Sequence, residues 1–152
     1  LSNIVEDIND SLLTEIAAAV GSTFKQLDYV HNVEKNQFRN QAKRFGVRPL
    51  GGVQVSGVTR EYTIDQEFEL VLTTDYLDRD GNGDADQVAQ SLLLFDKMDD
   101  ILVRILRTKV GIPLIVMAVS GFTLDEPLFI EEAKIVVQTT RVIVRYRQSL
   151  TL

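Results

Sequence analysis

One stretch, Glu61 to Leu72 (EYTIDQEFELVL), restricts the fold more than any other part of the chain. Tyr62, Ile64, Phe68, Leu70 and Leu72 share one parity, with Gln66 as the single polar exception. Glu61, Thr63, Asp65, Glu67 and Glu69 share the other. Period-2 alternation of this length specifies a strand with one face buried and one wet. A helix would wrap the acids around the apolar residues. The strand therefore sits at the centre of a sheet, and some other element must cover its apolar face. The long apolar segment Val88 to Val110 is the candidate cover.

Around this strand the chain reads as an α+β domain. Its sheet is expected to be mostly antiparallel and packed against a long helix and an N-terminal helix. At 152 residues a single domain spanning 1–152 is the default, with enough chain for a core. Asn3 to Val20 predicts the N-terminal helix. Ile4, Ile8, Leu12, Ile16 and Val20 recur every four residues, and Gly21 follows as a stop. Phe24, Leu27, Tyr29 and Val30 suggest a short strand. Glu34 to Arg48 is basic, with Lys35, Arg39, Lys43, Arg44 and Arg48, and reads as a short helix ending at Gly46 or an irregular loop. Val53, Val55 and Val58 suggest a strand that forms a hairpin with the central one.

Further along, Val88, Leu92, Phe95, Leu102, Ile105 and Leu106 predict the buried face of the long helix. Asp84 or Asp86 is placed as its cap, and Gly111 with Pro113 as its stop. Leu93, Leu94, Met98, Ile101 and Val103 add more apolar surface than one sheet contact needs. Ile112 to Val119 (IPLIVMAV) reads as a strand buried on both faces, and Gly121 to Pro127 as a turn. Ile130 to Arg147 holds a second alternating strand, whose Arg141, Arg145 and Arg147 fall on one face. That basic face can sit beside the acidic face of Glu61 to Glu69, on adjacent strands or across a subunit boundary.

Several kinds of chemistry are excluded or disfavoured. The chain has no Cys and one His, which removes disulfides, thiolate catalysis and any two-histidine site within one chain. His31 has no recognisable catalytic partner, and Gly51-Gly52 lacks the rest of a phosphate loop. A solvated or subunit-facing strand is the commoner setting for Asp65, Glu67 and Glu69 than an acid pair. No enzymatic activity and no cofactor is expected. Asp78 to Asp86 (DRDGNGDAD) matches the front of a calcium loop, but Ala89 stands where the bidentate Glu belongs. It is read as a solvated turn leading into a helix, with no metal. A net charge of −6 argues against a general nucleic-acid binder. No run reaches the roughly 18 apolar residues of a membrane span, and no basic region precedes an apolar run at the N-terminus, so no signal peptide is expected.

Two longer stretches carry a family resemblance. EKNQFRNQAKRFGVRPLGG (34–52) followed by GVTREYTIDQEFELVLTTDY (57–76), then a long mixed helix and a closing strand rich in Val, Arg and Thr, resembles the tail terminator and neck proteins of long-tailed bacteriophages. The resemblance implies a structural virion protein that assembles in the host cytoplasm as a ring, commonly of six subunits, at the head-proximal end of the tail tube. Such a ring ends tube polymerisation and joins the tail to the head connector. Its partners would be the tail tube protein, the connector or neck proteins and, in contractile tails, the sheath. DNA would pass through its lumen without specific binding. A head-completion or connector neck protein on the capsid side is the first alternative, and a calcium-binding interaction module using Asp78 to Asp86 the second. Lys35, Arg39, Lys43, Arg44, Arg48, Glu67, Glu69, Arg141 and Arg145 are the candidate partner-binding residues, through charge complementarity between subunits. Excess apolar surface on the long helix fits an oligomer interface.

Overall fold

A computed structural model describes residues 4–27, 43–58, 61–76, 83–107, 116–131 and 134–149. Helix α1 (Ile4–Val20) buries Ile8, Leu12, Ile16 and Val20, and places Glu6 and Asp7 in its first turn. Those acids suit the positive end of the helix dipole. Gly21 ends it at φ 77°, with its N–H donating to Ala17 O at 3.1 Å. A left-handed residue closing the last turn in this way is where glycine carries no Cβ penalty.

The sheet is built from β1 (Lys25–Gln26), β2 (Arg44–Val58), β3 (Glu61–Asp75), β4 (Val116–Leu124), β5 (Leu128–Ile130) and β6 (Ile135–Ser149). Its order is β1-β2-β3-β6-β4, with β5 also on β6. Every pairing is antiparallel except β1 with β2. The Glu61 strand is thus interior, as its alternation requires. β4 and β5 follow one another along the same side of β6. The break between them is held by Asp125, whose N–H donates to Thr139 O at 3.1 Å and whose carbonyl accepts from Gln138 Nε2 at 2.6 Å.

Helix α2 (Gly83–Arg107) lies over β3, β6 and β4, while α1 lies over β2 and against α2. Between helices and sheet is the main core, which includes Phe45, Val47, Phe68, Leu70, Leu72, Val142, Val144 and Tyr146. Burying a side chain such as Phe68 stabilises by about 1.5–3 kcal/mol. The opposite side of the sheet has a smaller cluster at one end: Leu27, Val71, Ile130, Ile135 and Val137.

Gln66, the polar exception on the apolar face, is buried and satisfied. The β2–β3 register shifts between Pro49 and Gly52, and Gln66 Nε2 donates to Leu50 O in that bulge at 2.6 Å. A Cβ on Gly52 would lie 2.8 Å from Gln66 Oε1, so a larger residue there would push the glutamine amide out of its present position.

The structure corrects several sequence expectations. Arg44 to Arg48 is neither helix nor loop but the start of β2, because Phe45 and Val47 alternate into the core opposite Leu72 and Leu70. The strand expected near Phe24 shrinks to Lys25–Gln26; Tyr29, Val30 and His31 lie outside the described residues. Helix α2 starts at Gly83, so Asp84 and Asp86 fall inside it rather than ahead of it. Gly111 and Pro113 lie outside the described residues. Its buried stripe is Leu94, Met98, Ile101, Leu102 and Ile105, whereas Val88, Leu92 and Leu106 are exposed. α2 has two apolar stripes, and the sheet takes the one that also lets Arg104 reach Glu15 on α1. The strand expected over Ile112–Val119 is β4, an outer strand that continues through Gly121–Leu124, where a turn was expected. Residues 111–115 lie outside the described residues. The expected Ile130–Arg147 strand divides into β5 and β6.

Candidate functional site

On the sheet face away from the helices, β3 supplies acids and its neighbours supply arginines. The β3–β6 register sets Asp65 opposite Arg145 and Glu69 opposite Arg141, while β2 sets Arg48 opposite Glu69. Arg48 Nε donates to Glu69 Oε1 at 2.9 Å. Arg145 grips Asp65 with two bonds, Nε to Oδ1 at 2.8 Å and NH2 to Oδ2 at 3.0 Å. Arg141 reaches Asp125 at 3.2 Å and, diagonally, Glu67 at 3.7 Å. Arg147 meets Glu61 at 3.6 Å. The acidic and basic faces foreseen from the sequence therefore lie on adjacent strands of one chain and pair there. Two-pronged guanidinium–carboxylate contacts are geometrically selective.

The hydrogen bond from Arg145, aided by its charge, holds the Asp65 carboxyl below its ordinary value, against the opposing effect of burial. The same bond raises Arg145. Burial pushes the Tyr146 phenol up.

Of the candidate partner-binding residues, the structure brings Arg48, Glu67, Glu69, Arg141 and Arg145 onto this one face. Lys43 and Arg44 stand apart at the start of β2. Lys43 is exposed, in the left-handed region at φ 53°, and its carbonyl accepts from Lys25 N–H at 3.0 Å. Arg44 donates its backbone N–H to Thr73 Oγ1 at 3.0 Å. Lys35 and Arg39 lie outside the described residues, as does Asp78 to Asn82 of the acidic loop. Among the described residues no group of three or more His, Asp or Glu side chains is placed to hold a metal. No described helix is long and apolar enough to cross a membrane.

A second surface was missed in the sequence because IPLIVMAV reads as an interior strand. Phe122, Leu124 and Phe129 lie on the helix-facing side of the sheet, opposite Val142, Thr140 and Val136, yet they keep 46%, 44% and 37% of their surface exposed. α2 packs less on β4 than on β3 and β6, and Phe129 rests edge-on against Tyr76 with ring centroids 6.0 Å apart. The open apolar stripe of α2, Val88, Leu92 and Leu106, is on a different side of the helix from Arg104, which reaches Glu15 on α1. The signal in the sequence was the surplus of apolar residues in α2.

Comparison with solved structures gives a shared fold. A chain of the structure titled "Virion of native gene transfer agent (GTA) particle" superposes with a TM-score of 0.56 at 10% identity, over 97% of this chain and 100% of that one. No protein-family model matches, and no curated protein sequence matches significantly.

Proposed function

We propose that this chain is a structural protein of a phage-like virion. In this reading it forms a ring, commonly of six subunits, at the head-proximal end of the tail tube, where it ends tube polymerisation and joins the tail to the head connector. The observation that carries the reading is the fold shared with a virion chain over nearly the full length of both molecules. Two segments of the sequence, 34–52 and 57–76, support it by their resemblance to tail terminator and neck proteins. The role is assembly rather than catalysis: a ring needs matched surfaces, and this molecule offers an ion-paired sheet face and a separate exposed apolar edge.

The test is electron microscopy of a lysate in which the gene is disrupted. Filled heads beside unattached tails of uncontrolled length are expected. Unattached tails of normal length with heads that leak DNA would move the protein to the capsid side of the neck. Intact infectious particles would overturn both placements.

A further inference from the structure

β4 and the part of β2 beyond β1 differ from the interior of this sheet in one respect that bears on assembly. Charge is concentrated in the middle: β3 carries five acids and β6 three arginines. β4 (VMAVSGFTL) carries no charged residue, and neither does the part of β2 from Pro49 to Val58 (PLGGVQVSGV). Among the described residues, β1 pairs only with Arg44 and Phe45, and no strand pairs with the remainder of β2 on that side or with the outer side of β4. Free strand edges are templates for further pairing, and proteins that keep them apart usually place charges there. Here the bulge at Pro49 interrupts one edge, but beyond it Gly52 to Gly57 is exposed and uncharged.

We propose that these edges join copies of this chain head to tail, the β4 edge of one copy pairing with the Gly52–Val58 edge of β2 in the next. The proposal rests on the ring reading above and names its junction. Strand direction alternates from β2 through β3 and β6 to β4, so β4 and β2 run opposite ways. Adding the β2 edge of the next copy to β4 therefore continues the antiparallel order, with the helices of both copies on the same side. The incoming β2 also brings its own α1, which packs on it. Leu13 and Ala17, on the side of α1 away from Glu15, then lie alongside the open stripe Val88, Leu92 and Leu106 of α2, above Phe122 and Leu124. Pairing β4 with β4 of a second copy would leave both β2 edges bare, and pairing β2 with β2 would leave the apolar patch uncovered. Only the head-to-tail contact removes both. Such a contact repeats until rotation closes it.

The absence of cysteine makes the test clean. Val53 and Thr123 are exposed and lie on the ion-paired side of the sheet, opposite Asp65 and Arg141. Within one chain they are at least three strand spacings apart, about 14 Å, so a shorter bismaleimide cannot bridge them intramolecularly. Val53→Cys and Thr123→Cys chains are treated separately, as a mixture and as the double variant, both purified at high concentration and in particles complemented with the variants. The mixture is expected to give linked dimers, the double variant a ladder ending at a closed ring, and each single variant no link. Adding Val55→Lys is expected to abolish linking without shifting the melting temperature. A single variant that links to itself, or no link in either setting, overturns the junction. Particles rescued by both variants but never linked would reject the junction and leave the tail role standing. A ladder from a chain whose disruption leaves particles intact would uphold the junction and reject the tail role.

Discussion

Asp65 and Arg145 show how a single pair ties two strands to one register. Their contact is two-pronged and partly shielded, and the arginine lowers the acid's pKa. A carboxyl depressed in the folded state contributes stability that is fully present above its unfolded value, near 3.9, and is lost as pH falls through the folded value. Asp65→Asn is therefore expected to cost about 1 kcal/mol at neutral pH, the upper range for a pair that keeps some exposure. The deficit should narrow as pH falls below about 4, where the unfolded chain's carboxyl takes up a proton before the folded one does. Urea unfolding of parent and variant from pH 7 to the lowest pH at which both fold checks this. A deficit unchanged across that range would mean the variant harms packing rather than an ion pair. Gln66 teaches the complementary point. A polar residue on an apolar face looked like an interruption in the sequence, but its amide is needed by the Leu50 carbonyl inside a bulge that no alternation pattern reveals.

Helix α2 decides how the two layers fit, and its two apolar stripes make different predictions. Met98 and Ile101 are fully buried, so replacing either with Ala is expected to cost about 2–5 kcal/mol. Leu92 is 62% exposed, so Leu92→Ala is expected to change stability by no more than about 0.5 kcal/mol. Chemical denaturation of the three variants distinguishes the stripes, and a large cost at Leu92 would reverse the orientation of the helix. The sequence made both stripes visible but not their order, because periodicity reports that a face is apolar and not which neighbour covers it. The same limit explains β4. Its unbroken apolar run was legible, but its position at the edge depends on β6 returning from the far end of the chain. The start of β2 was hidden for another reason: Arg44 and Arg48 flank Phe45 and Val47, and the basic run masked the alternation beneath it. By contrast, α1, the central strand and the opposed charges of β3 and β6 were all legible. Each carries its own period and needs no distant partner to be recognised. The charge pattern gave the neighbouring strands, and only the fold showed that both belong to one molecule.

At the scale of the whole molecule, charge is divided between layers. The two helices carry nine acids against three bases, whereas the six strands carry five acids against six bases. The head-to-tail contact therefore brings the acidic α1 of one copy beside the acidic α2 of the next, and only the apolar stripe between them favours that approach. The proposed junction between β4 and β2 has no charge on either edge, so its strength comes from backbone hydrogen bonds and apolar contact. Raising salt from about 0.05 to 0.5 M shortens the screening length from above about 10 Å to roughly 4–5 Å. Self-association of the parent chain, followed by sedimentation velocity, is expected not to weaken over that range, since the paired edges carry no charge and the α1–α2 approach sets acidic helices side by side, a repulsion that salt screens. Sulfate at the same ionic strength should strengthen it, because excluded salts favour burial of apolar surface. A loss of tenfold or more would point elsewhere. It would mean that Arg141, Glu67 and their neighbours exchange their intramolecular partners for those of another copy, and that the ion-paired face, not the bare edge, is where subunits meet.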